Sequence, residues 1–219
     1  MKTLFLGDLS PTEISSPYFK KNNKEALFGD MLSLFENSDF TFVNLECALT
    51  EVDEVIPKIG PPLKAPLEVA GVLAGIGVDL CGLSNNHIFD YGKQGVTDTI
   101  NALKKAGIDY TGFGDNYGDS RCNYVYSDNN KSICVIAVCE HEYSYALEDR
   151  MGARPYDEYD TIDDIRKARK ENDRVIVIYH GGKEQCRYPS PRLRKACHAR
   201  MQVTRAYPFC GMLVCRFNM

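Results

Sequence analysis

The chain has 219 residues, of which 44% are hydrophobic and 26% charged, with a net charge of −4. That composition excludes a disordered chain and supplies core for one large domain, or a domain with a small appendage. The amino-terminal apolar run is only Leu4, Phe5 and Leu6 before Asp8. This is too short for a secretion signal, and no window nears the roughly 20 apolar residues of a membrane span, so a cytoplasmic location is expected.

The charge is unevenly spread. The first 184 residues carry 19 basic and 30 acidic side chains. From residue 185 onward there is no Asp or Glu, only Arg187, Arg192, Arg194, Lys195, Arg200, Arg205 and Arg216. A basic end attracts phosphates or acidic polymers; a solvated helix face carries the same charges with no partner. The nine cysteines form no CxxC pair, and several sit in apolar runs such as DLCGLS and SICVIAVC. They read as buried thiols in a reducing compartment, not as a disulfide frame or zinc site.

In chain order, TLFLGD (3–8) is a short apolar strand running into a turn. Across residues 24–38, Leu27, Met31, Leu32, Leu34 and Phe35 keep helical spacing. DFTFVNLE (39–46) is a second strand with a polar end, and residues 50–64, with three prolines, are a loop. APLEVAGVLAGIG (65–77) has proline at its start and glycine at its end, as a helix does. VDLCGLS (78–84) is a third buried strand leading into NNHIFDYG. Residues 92–107 place Val96, Ile100 and Leu103 on one helical face and end in lysines and a glycine. IDYTGFG (108–114) is a fourth strand, and RCNYVYS and KSICVIAV flank DNN, a hairpin signal. Residues 161–172 are a charged helix, DRVIVIYHGG (173–182) is a strand closing on a histidine, and PRLRKACHA is helical. Continuous apolar strands alternating with helices predict an α/β domain whose sheet is covered by helices.

The polar residues gather at strand ends. Asp8 follows the first strand, Asn44 and Glu46 close the second, Asn85, Asn86 and His87 follow the third, and His180 closes the late one. Ligand sites of α/β folds lie beyond the carboxyl ends of strands, so these residues converge if the strands are parallel neighbours. Carboxylate, amide oxygen and imidazole suit Mn, Fe, Zn or Mg. Each also has a plain structural reading. Asp8 caps a turn, Glu46 and Asn44 are strand ends, Asn85 and Asn86 form a turn, and His87 is a satisfied core histidine. Two readings stand level for Asp90: it orients the His87 imidazole, or it caps the helix that starts near Gly92.

GD near the start, NLE, NNHIFDYGKQGVTDTINALKKAGIDYTGFG, and HGGKE followed by YPSP resemble the bacterial capsule synthesis protein family. That family is linked to poly-γ-glutamate capsules and lies in the calcineurin-like metallophosphoesterase superfamily. The resemblance covers about residues 1–199, and the NNH-to-DYG stretch is its most specific piece. It implies an α/β, metallophosphatase-like layered β-sandwich flanked by helices, with one or two divalent metal ions at one end. By position, Asp8 resembles the first metal-binding aspartate, Glu46 the bridging carboxylate, Asn86 the asparagine ligand and His180 a later histidine ligand. His87 resembles the histidine that protonates a leaving group, with Asp90 beside it. Asn44, Asn85 and Glu184 fall to the substrate side, Asn44 also as a brace for a ligand and Asn85 also as a turn-former. The implied activity is that of a metal-dependent hydrolase acting on an anionic small molecule or polymer, not on nucleic acid. The rival is a non-catalytic module that holds such a ligand.

Two positions depart from the superfamily. Ser10 stands where a histidine commonly follows the first aspartate. The last 20 residues contain no histidine, where a GHxH motif is expected. The chain therefore divides into a domain over 1–199 and a divergent tail over 200–219, out of register with the family. The fold is expected to be incomplete at its carboxyl end and its metal bound weakly or singly. An open sheet edge would be covered by a second copy of the chain or by the folded-back tail.

Overall fold

The computed structural model describes residues 1–140, 142–182, 186, 188–203 and 212–215. The elements begin with β1 (Thr3–Leu9), the short helices α1 (Ser16–Lys20), α2 (Lys24–Phe28) and α3 (Leu32–Glu36), and β2 (Phe40–Leu45). There follow β3 (Ala48–Leu49), β4 (Lys64–Ala65), α4 (Glu68–Gly75), β5 (Leu80–Gly82), α5 (Gly92–Ala106), β6 (Asp109–Thr111) and β7 (Phe113–Gly114). Then come α6 (Tyr117–Ser120), β8 (Tyr124–Asp128), β9 (Lys131–Cys139), β10 (Gly152–Ala153), α7 (Glu158–Glu171), β11 (Arg174–His180), α8 (Pro191–Val203) and β12 (Met212–Cys215).

Two four-stranded sheets form the centre. One has the order β1-β2-β5-β6 and is parallel throughout. Its strands are added in one direction, so right-handed crossovers put the connecting helices on one face. The other has the order β12-β11-β9-β8, parallel except for the β8–β9 hairpin. Asn129 and Asn130 turn that hairpin with φ of 49° and 62°, as a two-residue turn with two left-handed positions requires. Each sheet has one face for its helices and one for the other sheet. Val43, Leu45, Cys81 and Leu83 pack under α4 and α5, and Cys134, Ile136, Val175 and Val177 lie in a separate cluster with Ile165 of α7 and Leu193 of α8. Between the sheets lie Phe40, Phe42 and Leu80 from one and Ile133, Val135, Ala137 and Ile178 from the other. The strand period of two thus sends alternate residues to different cores, and both faces are apolar. The result is a layered, metallophosphatase-like sandwich flanked by helices.

Two expectations need adjusting. The helix read over 24–38 is interrupted by a 3₁₀ turn at Gly29–Met31, where Gly29 takes φ of 50° and cannot continue α2. The strand read over 108–114 splits at Gly112, whose φ is 80° and where a Cβ would lie 2.7 Å from that of Ser84 and 2.9 Å from that of Ala137. Of the two coverings expected for the sheet edge, the structure shows the folded-back tail: β12 runs parallel to β11 from Val177↔Met212 to His180↔Cys215. Among the described residues no helix is long and apolar enough to cross a membrane.

Candidate metal centre

The site grows out of the layer between the sheets. On β2, Phe40 and Phe42 face that layer, so Asn44 faces it too, one step beyond the apolar part. On β11, Ile176 and Ile178 face it, and His180 follows. The two polar ends meet, with Asn44 Nδ2 at 3.3 Å from His180 Nδ1. Asp8 joins them through an irregularity in β1. Phe5 pairs with Phe42, but Asp8 pairs with Asn44, so three steps on β1 match two on β2. The extra residue returns Asp8 to the face that Phe5 occupies, as a β-bulge beside a site does. Asn44 Nδ2 then donates to Asp8 Oδ1 at 2.6 Å, and His180 Nδ1 lies 3.4 Å from the same oxygen.

Glu46, just past the end of β2, is 3% exposed, and its Oε1 lies 3.7 Å from His180 Nε2 and 3.9 Å from His87 Nε2. Asn86 Oδ1 accepts from His180 Nε2 at 2.8 Å. One ligand atom from each of Asp8, Glu46 and His180 lies within 4.8 Å of the others. Two carboxylates, an imidazole and an amide oxygen converging at this spacing fit a divalent cation.

The loop after β5 holds the second part. Asn85 is fully buried; its Oδ1 accepts from the backbone N–H of His87 and Ile88, and its Nδ2 donates to the Leu45 carbonyl at 2.9 Å. Its side chain is consumed in shaping the turn, so the substrate-side assignment gives way to the turn-forming one. Asn44, 1% exposed and bound to Asp8, stands as a brace behind the candidate ligands, not as a contact for substrate. His87 Nδ1 lies 2.7 Å from Asp90 Oδ2. The N-cap of α5 is Tyr91, with no side-chain cap, so Asp90 faces the imidazole and does not cap the helix. Asp90 Oδ2 also accepts from the Leu63 N–H at 2.8 Å, and Oδ1 takes the Lys58 ammonium at 2.5 Å.

Lys58 is the residue that sequence reasoning missed. It lies in the proline-rich loop with its side chain 6% exposed. Nothing local separates it from Lys64, which pairs instead with Asp53 at the surface and lies over the Tyr91 ring. Ser10 stands where the histidine was expected, and the buried Cys47 thiol has its pKa pushed up first by burial and then by the Glu46 charge. Glu184 lies outside the described residues. His198 is exposed on α8, and Tyr188 is exposed in the loop before it.

Two stacked sheets between helices, with carboxylate, amide and imidazole side chains at their carboxyl ends, define a metallophosphatase-like class of protein. Within it, the chain belongs to the bacterial capsule synthesis protein family, described as "Bacterial capsule synthesis protein PGA_cap", whose family model matches residues 2–204. It is 33% identical over 197 residues to "Capsule biosynthesis protein CapA" of Bacillus anthracis, covering 85% of this chain and 48% of that protein. It is 26% identical over 204 residues to "PGA biosynthesis protein CapA" of Bacillus subtilis strain 168, covering 89% and 52%. A "Probable polyglutamine synthesis accessory protein" of Mycobacterium tuberculosis shares 28% over 170 residues, covering 71% of this chain and 45% of its own. The chain therefore spans about half the length of the curated relatives it matches. A solved hypothetical protein from Thermus thermophilus shares 15% identity with a TM-score of 0.47, over 84% of this chain and 59% of its own.

Proposed function

We propose that this chain is a metal-dependent hydrolase domain of the metallophosphoesterase type, working in capsule or poly-γ-glutamate biosynthesis. The observation that carries the reading is the juxtaposition of Asp8, Glu46 and His180 within 4.8 Å, next to the His87–Asp90 pair. The names of the relatives support the biosynthetic setting. Asp8, Glu46, Asn86 and His180 would hold the cation, with Asn44 fixing the Asp8 carboxylate. A divalent cation held there supplies electrophilic pull on the substrate and on an attacking water. His87 keeps its Nδ1 proton on Asp90 and turns Nε2 toward Glu46, where that nitrogen can take a proton from an attacking water and pass it to a leaving oxygen. The Asp90 carboxylate holds that orientation.

The substrate would be anionic, because a divalent cation suits a phosphoester or carboxylate-bearing group. The runner-up is a binding module for an anionic ligand; it is favoured by the histidine-free stretch from residue 200 onward and by the single histidine in the metal set among the described residues. Metal analysis of the purified chain, paired with hydrolysis of bis-p-nitrophenyl phosphate and p-nitrophenyl phosphate in added Mn²⁺, separates the two. Stoichiometric metal and turnover lost in H87A and H180A are expected. Metal-free protein with no turnover, or turnover unchanged in both variants, rejects the hydrolase.

A further inference from the structure

We propose that Lys58 is a positioning residue for His87, acting through Asp90 to fix the tautomer and direction of the imidazole. The inference rests on the reading of His87 as the group whose Nε2 takes up and passes on a proton, and it assigns a role to a residue of the proline-rich loop. That loop is tied to Asp90 three times. The Ile56 N–H donates to the Asp90 carbonyl at 2.9 Å, the Leu63 N–H to Oδ2 at 2.8 Å, and the Lys58 ammonium to Oδ1 at 2.5 Å. Asp90 is 0% exposed, so its charge needs these partners.

The two oxygens of Asp90 divide their work. Oδ1 takes Lys58, which leaves Oδ2 for the Leu63 N–H and His87 Nδ1. A carboxylate only accepts, so at 2.7 Å the Nδ1 atom carries the proton. Lys58 Nζ lies 3.3 Å from the same Nδ1. Two donors cannot hydrogen-bond one another, so that approach follows from the Lys58–Oδ1 bond, and bringing Oδ1 to the ring would require breaking it. With Nδ1 thus committed, Nε2 is the nitrogen that faces Glu46. Removing Lys58 frees Oδ1 and lets the imidazole and carboxylate pair in more than one arrangement.

Ring ¹H–¹⁵N correlation spectra of ¹⁵N-labelled, metal-free protein read the tautomer without any turnover. The wild type should show His87 as the Nδ1–H form, and a Lys58 ammonium in slow exchange with cross-peaks to the His87 ring. K58M should populate both tautomers and lower Mn²⁺-dependent hydrolysis of bis-p-nitrophenyl phosphate about 10- to 100-fold at unchanged KM. K58R, which keeps the charge, should restore the Nδ1–H form. A folded K58M with the wild-type tautomer overturns the proposal. So does a wild-type Lys58 ammonium without contact to the ring, a measurement that needs no variant and decides the matter if K58M fails to fold. A wild type with no turnover sinks the hydrolase reading and leaves the tautomer test standing.

Discussion

The proposed metal centre is open to a thermodynamic test through His180→Ala. His180 is 0% exposed and sits among Asp8, Asn44, Glu46 and Asn86, at 2.8 to 3.7 Å from each. A ligand that binds only the folded chain at 100 times its dissociation constant stabilises it by about 2.7 kcal/mol. For a chain of this size about 1 kcal/mol moves Tm by about 2–4 °C, so saturating Mn²⁺ should raise the wild-type Tm by about 5–11 °C. Loss of the imidazole, taken as a hundredfold loss of affinity, leaves about 0.4 kcal/mol at the same concentration, about 1 °C. The assay is a thermal melt of each protein in EDTA and in Mn²⁺, with titration calorimetry for stoichiometry. Shifts are compared within each protein, because H180A also strips hydrogen-bond partners from Asn44 and Asn86 and lowers the metal-free Tm. An H180A shift equal to that of the wild type would falsify the assignment, since the ion would then bind elsewhere.

Three further outcomes are expected. Arg154 is 2% exposed, donates to Asp164 at 2.5 Å and to Asn123 at 2.7 Å, and is replaced in R154M by a side chain that satisfies neither. Asp164 keeps two bonds to Arg121, so the loss falls at the low end for a buried pair, about 3 kcal/mol by urea denaturation. R166A, at an exposed pair, should cost less than about 1 kcal/mol; equal losses would contradict the burial argument. Burial raises the pKa of Asp79 above the ordinary carboxylate value, so folding favours its protonated form. That contribution is present below the ordinary value and is lost as pH rises through the raised one, leaving a cost at neutral pH. D79N, whose amide oxygen can still accept from the Thr41 N–H, should therefore melt higher than wild type at pH 7 and equal it below about pH 4; the opposite order refutes this. Burial also raises the Cys47 and Cys81 thiols and holds Cys134 up at about 11, whereas Cys122 is exposed. Iodoacetamide at pH 8 should modify Cys122 first and the other three only on unfolding, as read by peptide mass; early loss of Cys47 would show that the packing beside Glu46 is open.

What the sequence made legible was the string of strands and the polar residue at each strand end. Continuous runs such as DFTFVNLE and DRVIVIYH mark strands buried on both faces, and Asn44, Glu46 and His180 stand where those runs stop. The second sheet was not legible as a separate layer. An apolar face covered by another sheet and one covered by helices have the same pattern, so Phe42 and Val43 look alike although they enter different cores. The bulge in β1 was hidden for a related reason: strict alternation from Phe5 puts Gly7, not Asp8, beside Asn44, and only the pairing reveals the extra residue. Lys58 was hidden because its partner Asp90 lies 32 residues away, across a loop with no periodicity. Gly29 lay in plain view, but apolar spacing over 24–38 outweighed a single glycine and gave one helix where the chain makes two.

The layered plan gives the site its mechanical character. Asp8, Glu46 and Asn86 hang from the ends of β1, β2 and β5, all in one sheet, whereas His180 closes β11 in the other. No single sheet can assemble the set. The spacing of its candidate ligand atoms is instead set by the apolar layer beneath, where the Phe5 ring lies 5.9 Å from that of Phe40 and 5.7 Å from that of Phe42, and Tyr126 stacks on Phe40 at 4.7 Å. Gly82 belongs to the same arrangement, because a Cβ there would lie 2.6 Å from the Phe42 ring and 3.2 Å from Asn44 Oδ1. A cation bound across this seam would tie the two sheets together, and metal occupancy and sheet packing would then be coupled. The polar ends of strands far apart in sequence meet on the inter-sheet face because only there do β2 and β11 look at one another.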